Sequence, residues 1–418
     1  MTLNTSTHFA SAGAQGTDWR DTARSVLEQL QSIRTEQDEF TLGFLYISDD
    51  LAEDAQSILS LFKSVTGIDN WVGCVGVGVC ANGHSYLDQP AIAALIAKLP
   101  EDDFQILPGT SLGQDQVSKF VTPWLMENDP FCALIHGDAE SEAEPAKEID
   151  QLSEILQSFL VGGLSSSRSA HYQFANDVYD NGICGVIFSQ NQNIMTGLSQ
   201  GCKTISAAHT ITRAHDNMIM ELDHKPAFEV FTQDVRDYAK AHCADIAAPG
   251  QRHAQSKSAE AISPRPRPPE EIVRGDVHLA FPVQGTDMKD YIVRNIIDLD
   301  AEHGWISTGR KVVEGDEIIL VRRDRASMEE DFSKMLLNLR RRMSHNDIQR
   351  PKAGIFISCM ARSGIAEDKK AGCKQPTNEL ELIREIIGDI PLVGYYASGE
   401  ISNSRLYAYA GLLILFND

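Results

Sequence analysis

A strand–helix–strand pattern recurs three times along this 418-residue chain, and no other feature limits the fold as much. The first copy has LGFLYIS at 42–48, a helical pattern near 51–64, and WVGCVGVGV at 71–79. The second has FCALIHG (131–137), a helix near 146–160, VGGLSSS (161–167) and GICGVIFS (182–189). The third has AGIFISC (353–359), a helix near 377–388, PLVGYYASGEI (391–401) and YAYAGLLILF (407–416). In the helices apolar residues recur at the spacing of one helical face, as in Ile149, Leu152, Ile155, Leu156 and Phe159. A helix lying between strands favours layers. The expected class is α/β: mixed β-sheets flanked by helices, a layered sandwich built from repeated strand–helix–strand units.

Residues 1–18 read as disordered or loosely attached, and 19–34 as an amphipathic helix. The stretches 291–309 and 311–324 alternate apolar and polar residues around turn glycines, as in a hairpin. Residues 327–343 read as a helix with acids near its start and Arg340, Arg341 and Arg342 near its end, which suits the helix dipole. The run 249–271 joins Pro, Ser and basic residues with few apolar ones, so it is a linker or a surface loop.

Lys and Arg number 37 against 59 Asp and Glu, a net charge of −22. That excess repels phosphate backbones, which argues against nucleic acid or an anionic membrane as the main partner. No apolar run is long enough to span a bilayer, and the N-terminus lacks the basic start and apolar core of a secretory signal. The eight Cys have no metal spacing and read as reduced thiols, so the expected location is cytoplasmic. HExxH, CxxC and the P-loop are absent. Gly73-Cys-Val-Gly76-Val-Gly78 resembles a dinucleotide loop, but Asn82-Gly83 breaks the helix that should follow. No catalytic set emerges, and the expectation is a binding module rather than an enzyme.

Several segments are candidates for ligand contact. Gly162 and Gly163, followed by Ser165, Ser166 and Arg168, offer a backbone nest with hydroxyls, or else a tight strand turn. Gly201, Cys202, Thr212 and Arg213 lie near Glu221 and Asp223, so Arg213 either clamps a carboxylate or forms a structural ion pair. Cys359, Arg362, Tyr395, Gly399 and Glu400 follow two strands, and they converge on a cleft if both strand ends share a rim. Glu400 would accept from an amine or pair with Arg362. Cys359 reads as a small buried residue or as a reactive thiol. His171, His209 and His215 are candidate axial ligands for haem, or ordinary hydrogen-bonded histidines.

On linked motifs the chain resembles the FIST family of sensory modules found in signalling proteins. Ser48, Val72-Gly73-Cys74, Val161-Gly162-Gly163, Gln200-Gly201-Cys202, Ile211-Thr212-Arg213-Ala214, Asn217 and Glu221-Leu222-Asp223 look like the N-terminal FIST domain. Arg294-Asn295-Ile296, Glu314-Gly315-Asp316, Ser358-Cys359, Arg362 and Pro391 to Ile401 look like the C-terminal one. The chain departs from the family at Lys203-Thr204-Ile205-Ser206, where Pro and Gly are usual, and at His224, where Gly is usual. The resemblance implies a tail and helix over 1–39, an N-terminal domain over 40–235 and a C-terminal domain over 236–418. It also implies a stand-alone sensor that holds a small, amino-acid-like ligand between the two domains and signals to a separate protein such as a histidine kinase. The alternatives are a haem-based nitric oxide sensor, an enzyme with Cys359 or Cys202 as nucleophile, and an interaction protein that docks a basic partner through its acidic face.

Overall fold

This computed structural model describes residues 8–33, 39–141, 144–241, 277–283, 291–363 and 379–417. The Pro-rich run 249–271 lies outside them. The chain forms two compact units: 1–200 with 329–418, and 201–328. This cut is not the one at 39/40 and 235/236 that the motifs suggest.

The larger unit begins with β1 (Phe9–Gln15), α1 (Trp19–Ile33), β2 (Leu42–Ser48), α2 (Ala55–Thr66), β3 (Asn70–Gly76), β4 (Gly78–Ala81), β5 (His84–Leu87) and β6 (Ala91–Ala97). The same series follows as β7 (Phe104–Leu107), α3 (Gln114–Glu127), β8 (Pro130–Gly137), α4 (Pro145–Leu156), β9 (Phe159–Leu164), β10 (Gln173–Ala175), β11 (Val178–Tyr179) and β12 (Ile183–Ser189). A third series opens with β13 (Ile194–Ser199) and is then interrupted by the smaller unit.

The smaller unit holds β14 (Lys203–His215), β15 (Met218–Leu222), β16 (Lys225–Pro226), α5 (Ala227–Ala241), β17 (Val277–Pro282), β18 (Tyr291–Arg294), β19 (Ile296–Asp300), β20 (Trp305–Thr308) and β21 (Glu317–Arg322). Its sheet runs β18-β17-β21-β14-β15-β20-β19, with β16 on β15. Phe231 and Val235 of α5 pack with Ile211, Leu222, Ile306 and Leu320.

The third series resumes with α6 (Arg325–His345), β22 (Ala353–Cys359), α7 (Glu379–Ile386), β23 (Leu392–Ala397), β24 (Gly399–Ser402), β25 (Arg405–Tyr407) and β26 (Gly411–Phe416). The larger unit is therefore one module, strand–helix–strand–helix–strand–hairpin–strand, built three times.

The sheet orders show how the copies interlock: β1-β6-β2-β3-β10-β11, β7-β12-β8-β9-β24-β25, and β13-β26-β22-β23-β4-β5. Each hairpin leaves its own copy and completes another copy's sheet. The first copy gives its hairpin to the third, the second to the first, and the third to the second. This cyclic exchange covers edges that would otherwise expose unpaired backbone groups. Where the sheets meet they share one apolar core, including Phe44, Leu134, Val161, Ile355, Val393 and Phe416. Helices cover the outer faces, as Val26, Leu30, Ile58 and Phe62 do on the first sheet.

The central pair in each sheet is parallel: β2 with β3, β8 with β9, β22 with β23. In each pair a glycine faces the first strand: Gly73 opposite Leu45, Gly162 opposite Ile135, Gly394 opposite Phe356. A β-carbon there would sit 1.8, 1.9 and 1.7 Å from the facing carbonyl oxygen, so only glycine fits. The shared glycine carries the repeat down to a single atom.

Two expectations fail. Residues 9–15 are not loose: β1 pairs antiparallel with β6 along its whole length and its first four residues are buried. Its run of Phe, Ala, Ser and Gly is too weakly hydrophobic to declare a strand, but small residues suit an edge packed under α1. Residues 311–324 do not form a hairpin with 291–309. Instead β19 and β20 pair around Gly304, while β21 sits between β14 and β17. With Ile318 and Leu320 in one core cluster and Val321 in another, β21 needs cover on both faces.

Candidate functional site

The strongest concentration of buried charge lies at the carboxyl end of β22. That strand is apolar until Ser358 and Cys359, after which a single 3-10 turn, Met360–Arg362, folds the chain back beneath it. Arg362 then meets Glu379 at the start of α7. Arg362 Nε donates to Glu379 Oε1 at 2.8 Å, and Nη2 donates to the same oxygen. The other carboxylate oxygen accepts from the Ser358 hydroxyl at 3.0 Å. Arg362 Nη1 donates to the Tyr409 carbonyl at 3.2 Å. The Arg362 side chain is 0% exposed and that of Glu379 4%.

Two more carboxylates stand nearby. Glu400, on β24, accepts from the Ala410 amide at 2.8 Å. Asp331, on α6, accepts from the Ser199 hydroxyl at 2.7 Å. Burial alone would lower the Arg362 pKa, but Glu379, Glu400 and Asp331 outweigh it and hold the guanidinium charged. Burial pushes the Cys359 thiol up to about 12, with Glu400 adding to the rise. That is the reverse of an activated nucleophile. The expected convergence of Cys359, Arg362 and Glu400 is present, but among the described residues it is a closed cluster rather than an open cleft. Arg362 forms a close ion pair with Glu379, which the sequence did not single out, and Glu400 adds to the negative charge around it.

Gly197–Gly201 has the G-x-S-x-G spacing of a nucleophile elbow. Ser199 nevertheless ends β13, donates a hydrogen bond to Asp331, and does not open a helix. The run has the spacing without the strained strand-to-helix turn.

Tyr395 lies in the shared core, with Glu400 near enough to help raise the pKa of its hydroxyl, after burial. Its ring stacks on Tyr46 at 5.0 Å between centroids, and His136 lies 5.9 Å away. The Tyr46 hydroxyl is 3.2 Å from His136 Nε2. Burial drives the His136 pKa down to about 3, so the ring is neutral. Tyr46 and His136 were not among the expected site residues, although each is a polar interruption in an apolar strand, LGFLYIS and FCALIHG.

The nest expected at Gly162 and Gly163 is a strand. Both residues lie in β9 between β8 and β24, and a β-carbon on Gly163 would come within 2.8 Å of the Tyr395 hydroxyl and 2.9 Å of the Gly399 carbonyl. Gly399 is likewise a buried residue of β24, paired with Leu164. Ser166 links the three copies. The Val77 amide donates to Ser166 Oγ at 2.9 Å, and that hydroxyl donates to the Tyr396 carbonyl. Arg168 holds Asp49 with Nε and Nη2 at 2.8 and 2.7 Å. These groups are occupied by the protein itself.

The remaining candidates sit in the smaller unit. Arg213 is 59% exposed and reaches Glu221 at 3.5 Å, the ion-pair option. Thr212 Oγ1 accepts from the His224 amide at 3.0 Å. Cys202 Sγ accepts from Arg323 at 3.3 Å. His209 donates through Nδ1 to Asp223 at 2.6 Å and through Nε2 to Asp234 at 2.7 Å. Burial opposes its charge, but the two carboxylates win and raise its pKa. Haem therefore does not fit His209, whose nitrogens are both engaged. His215 is exposed beside the β14–β15 turn, and His171 Nδ1 faces the Ser165 hydroxyl at 3.2 Å. Among the described residues no group of three or more His, Cys, Asp or Glu could hold a metal ion. No helix of the described residues is long and apolar enough to cross a membrane.

The fold and its buried cluster define a repeated α/β module with a β-rich insertion, and sequence comparison places that architecture. The FIST N domain model matches residues 41–225 and the FIST C domain model residues 260–403. The chain belongs to the FIST family, whose domains are associated with sensing in signal transduction. It is 23% identical over 390 residues to an uncharacterized protein of Mycobacterium tuberculosis, covering 90% of this chain and 91% of that one. An uncharacterized protein of Mycobacterium bovis is 22% identical over 395 residues, again covering 90% and 91%. The two matched segments do not coincide with the two compact units. The FIST C match includes β22–β24, which pack in the larger unit with most of the FIST N match.

Proposed function

We propose that this protein is a sensory module that binds a small polar, amino-acid-like ligand at the end of β22 and passes the binding event to a separate signalling protein, such as a histidine kinase. One observation carries the proposal: a guanidinium and three carboxylates from four elements meet, largely desolvated, at the carboxyl end of parallel strands. Strand carboxyl ends are where α/β sheets commonly receive ligands. Buried ion clusters contribute little to stability against an apolar replacement, so a role beyond folding accounts for them better. A zwitterion matches this charge set, its carboxylate competing with Glu379 for Arg362 and its ammonium facing Glu400 or Asp331. Ligand entry would then exchange one ion pair for another, a two-state change that a partner can read.

Within this proposal the protein performs no chemistry, and the high pKa of Cys359 supports that. It works in the cytoplasm, which the six free, buried cysteines among the described residues support. The test is a thermal-unfolding screen against amino acids, their derivatives and haem. A ligand at 100 times its Kd adds about 2.7 kcal/mol. An amino-acid-type hit that Arg362→Met abolishes is expected. Folded protein that no amino-acid-like compound stabilises would refute the proposal, and a shift with haem alone would replace it.

A further inference from the structure

Two arginines of the smaller unit face each other across a strand pair, and one of them has no counter-ion among the described residues. β18 runs into β19 with only Asn295 between them, and there the chain changes partners, from β17 to β20. Ile296 stands opposite Thr308, and the Asn295 carbonyl accepts from the Gly309 amide at 3.3 Å. The next step along both segments sets Arg294 across from Arg310. On its other side Arg294 pairs with Leu279, so Phe281, two residues on, is its diagonal neighbour on the same face. The Arg310 guanidinium lies 4.3 Å from the centre of that Phe281 ring. Register and ring contact bring both arginines to one place. Two segments that carry the family resemblance, 294–296 and 314–316, meet there as well, Asp316 through Arg310.

Like charges directly opposite across strands destabilise a sheet, and burial adds to the cost. Arg310 is balanced: its Nη2 donates to Asp316 at 3.0 Å and its Nε to the Lys311 carbonyl at 3.0 Å. Arg294 is not. It is half-buried, its Nη1 donates to the Val293 carbonyl at 3.0 Å, and it meets no carboxylate among the described residues. Burial, and after it the charge of Arg310, push its pKa down, yet a guanidinium stays charged. Its Nε and Nη2 have no hydrogen bond among the described residues and are not sealed from solvent. With that same edge Arg168 grips both oxygens of Asp49, at 2.8 and 2.7 Å, and Arg362 holds Glu379.

We infer that Arg294 is a binding site for the carboxylate of a small monoanion, gripped side-on by Nε and Nη2, with Arg310 as the second cation beside the Phe281 ring. Edge geometry selects the carboxylate, whose two oxygens match two parallel donors. Charge selects the monoanion. Two guanidiniums against the carboxylate of Asp316 leave a single positive charge, which one carboxylate neutralises and a phosphate, at about −1.5 to −2, overshoots. The inference does not depend on the reading of Arg362 in the larger unit.

The test follows the guanidinium and amide resonances of Arg294 and Arg310 by NMR in the full chain, as sodium acetate replaces sodium chloride at constant ionic strength. A saturable shift of both arginines is expected, with inorganic phosphate binding more weakly than acetate. Arg294→Lys keeps the charge and loses the fork, so it should weaken acetate at least about tenfold, read from the Arg310 amide. No saturable shift, tighter binding of phosphate, or wild-type affinity in Arg294→Lys would each overturn the inference. If that variant does not fold, the wild-type titrations with the two anions still decide. Because these resonances are local to the smaller unit, a failure of ligand binding at Arg362 would leave the result standing.

Discussion

Replacing Glu379 by Gln isolates the energetics of the candidate site. The substitution keeps the shape and the hydrogen bond from Ser358 but removes the charge opposing Arg362. The guanidinium is fully buried, so it cannot recover its hydration without local opening. Removing one partner of a buried pair costs about 3–5 kcal/mol, because an uncompensated charge stays behind. Glu400 and Asp331 still face Arg362 and limit the loss, so the lower end, about 3 kcal/mol, is expected. That is a large part of the roughly 5–15 kcal/mol that holds a domain folded. Replacing both partners, Arg362→Met with Glu379→Leu, removes the guanidinium but strands the buried Glu400 that faced it, so this variant should be no more stable than Glu379→Gln. Urea unfolding at fixed pH, with midpoint and slope fitted for both variants, measures these differences. Glu379→Gln within about 0.5 kcal/mol of wild type, the scale of ordinary surface changes, would show that the cluster is hydrated and that the buried-charge reasoning is wrong.

Gly162→Ala should cost about 2–6 kcal/mol, the sum of backbone strain at its φ of 145° and overpacking against the Ile135 carbonyl; denaturant unfolding measures it, and a loss below about 1 kcal/mol would mean the strands part freely. His224→Gly should stabilise the smaller unit by about 1 kcal/mol, because His224 holds a left-handed φ of 64° where the family carries glycine; calorimetry would show no gain if the imidazole makes compensating contacts. His209 has a raised pKa, so the stability it contributes is complete below its ordinary value near 6.5 and is lost as pH rises through the higher folded value. An NMR titration of His209, compared with pH-dependent unfolding of His209→Gln, checks both the sign and the window. Cys359 should resist a thiol reagent at pH 7 in native protein and react once unfolded; rapid native labelling would revive the nucleophile.

The three strand–helix–strand copies, the helices over 19–34 and 327–343 and the α/β class could be read from one dimension, because hydrophobic period reports which face of an element is buried. Some individual roles were equally legible: Arg213 beside Glu221 is a short-range pair that strand spacing anticipates. The closing of each copy's sheet by another copy's hairpin could not be read. β4–β5 leaves β3 after a single residue and pairs with β23, over 300 positions away, and nothing local in its sequence names that partner. The same gap explains the misread glycines. Gly162 and Gly163 look like a flexible nest until the Ile135 carbonyl and the Tyr395 hydroxyl arrive from distant strands to fill the space. Glu379 was one acid among several at a helix start until the turn at Met360–Arg362 delivered a buried guanidinium to it. Periodicity fixed which residues leave water, while only the packing of remote segments decided what each one meets there, since burial is a property of a face and partnership a property of two.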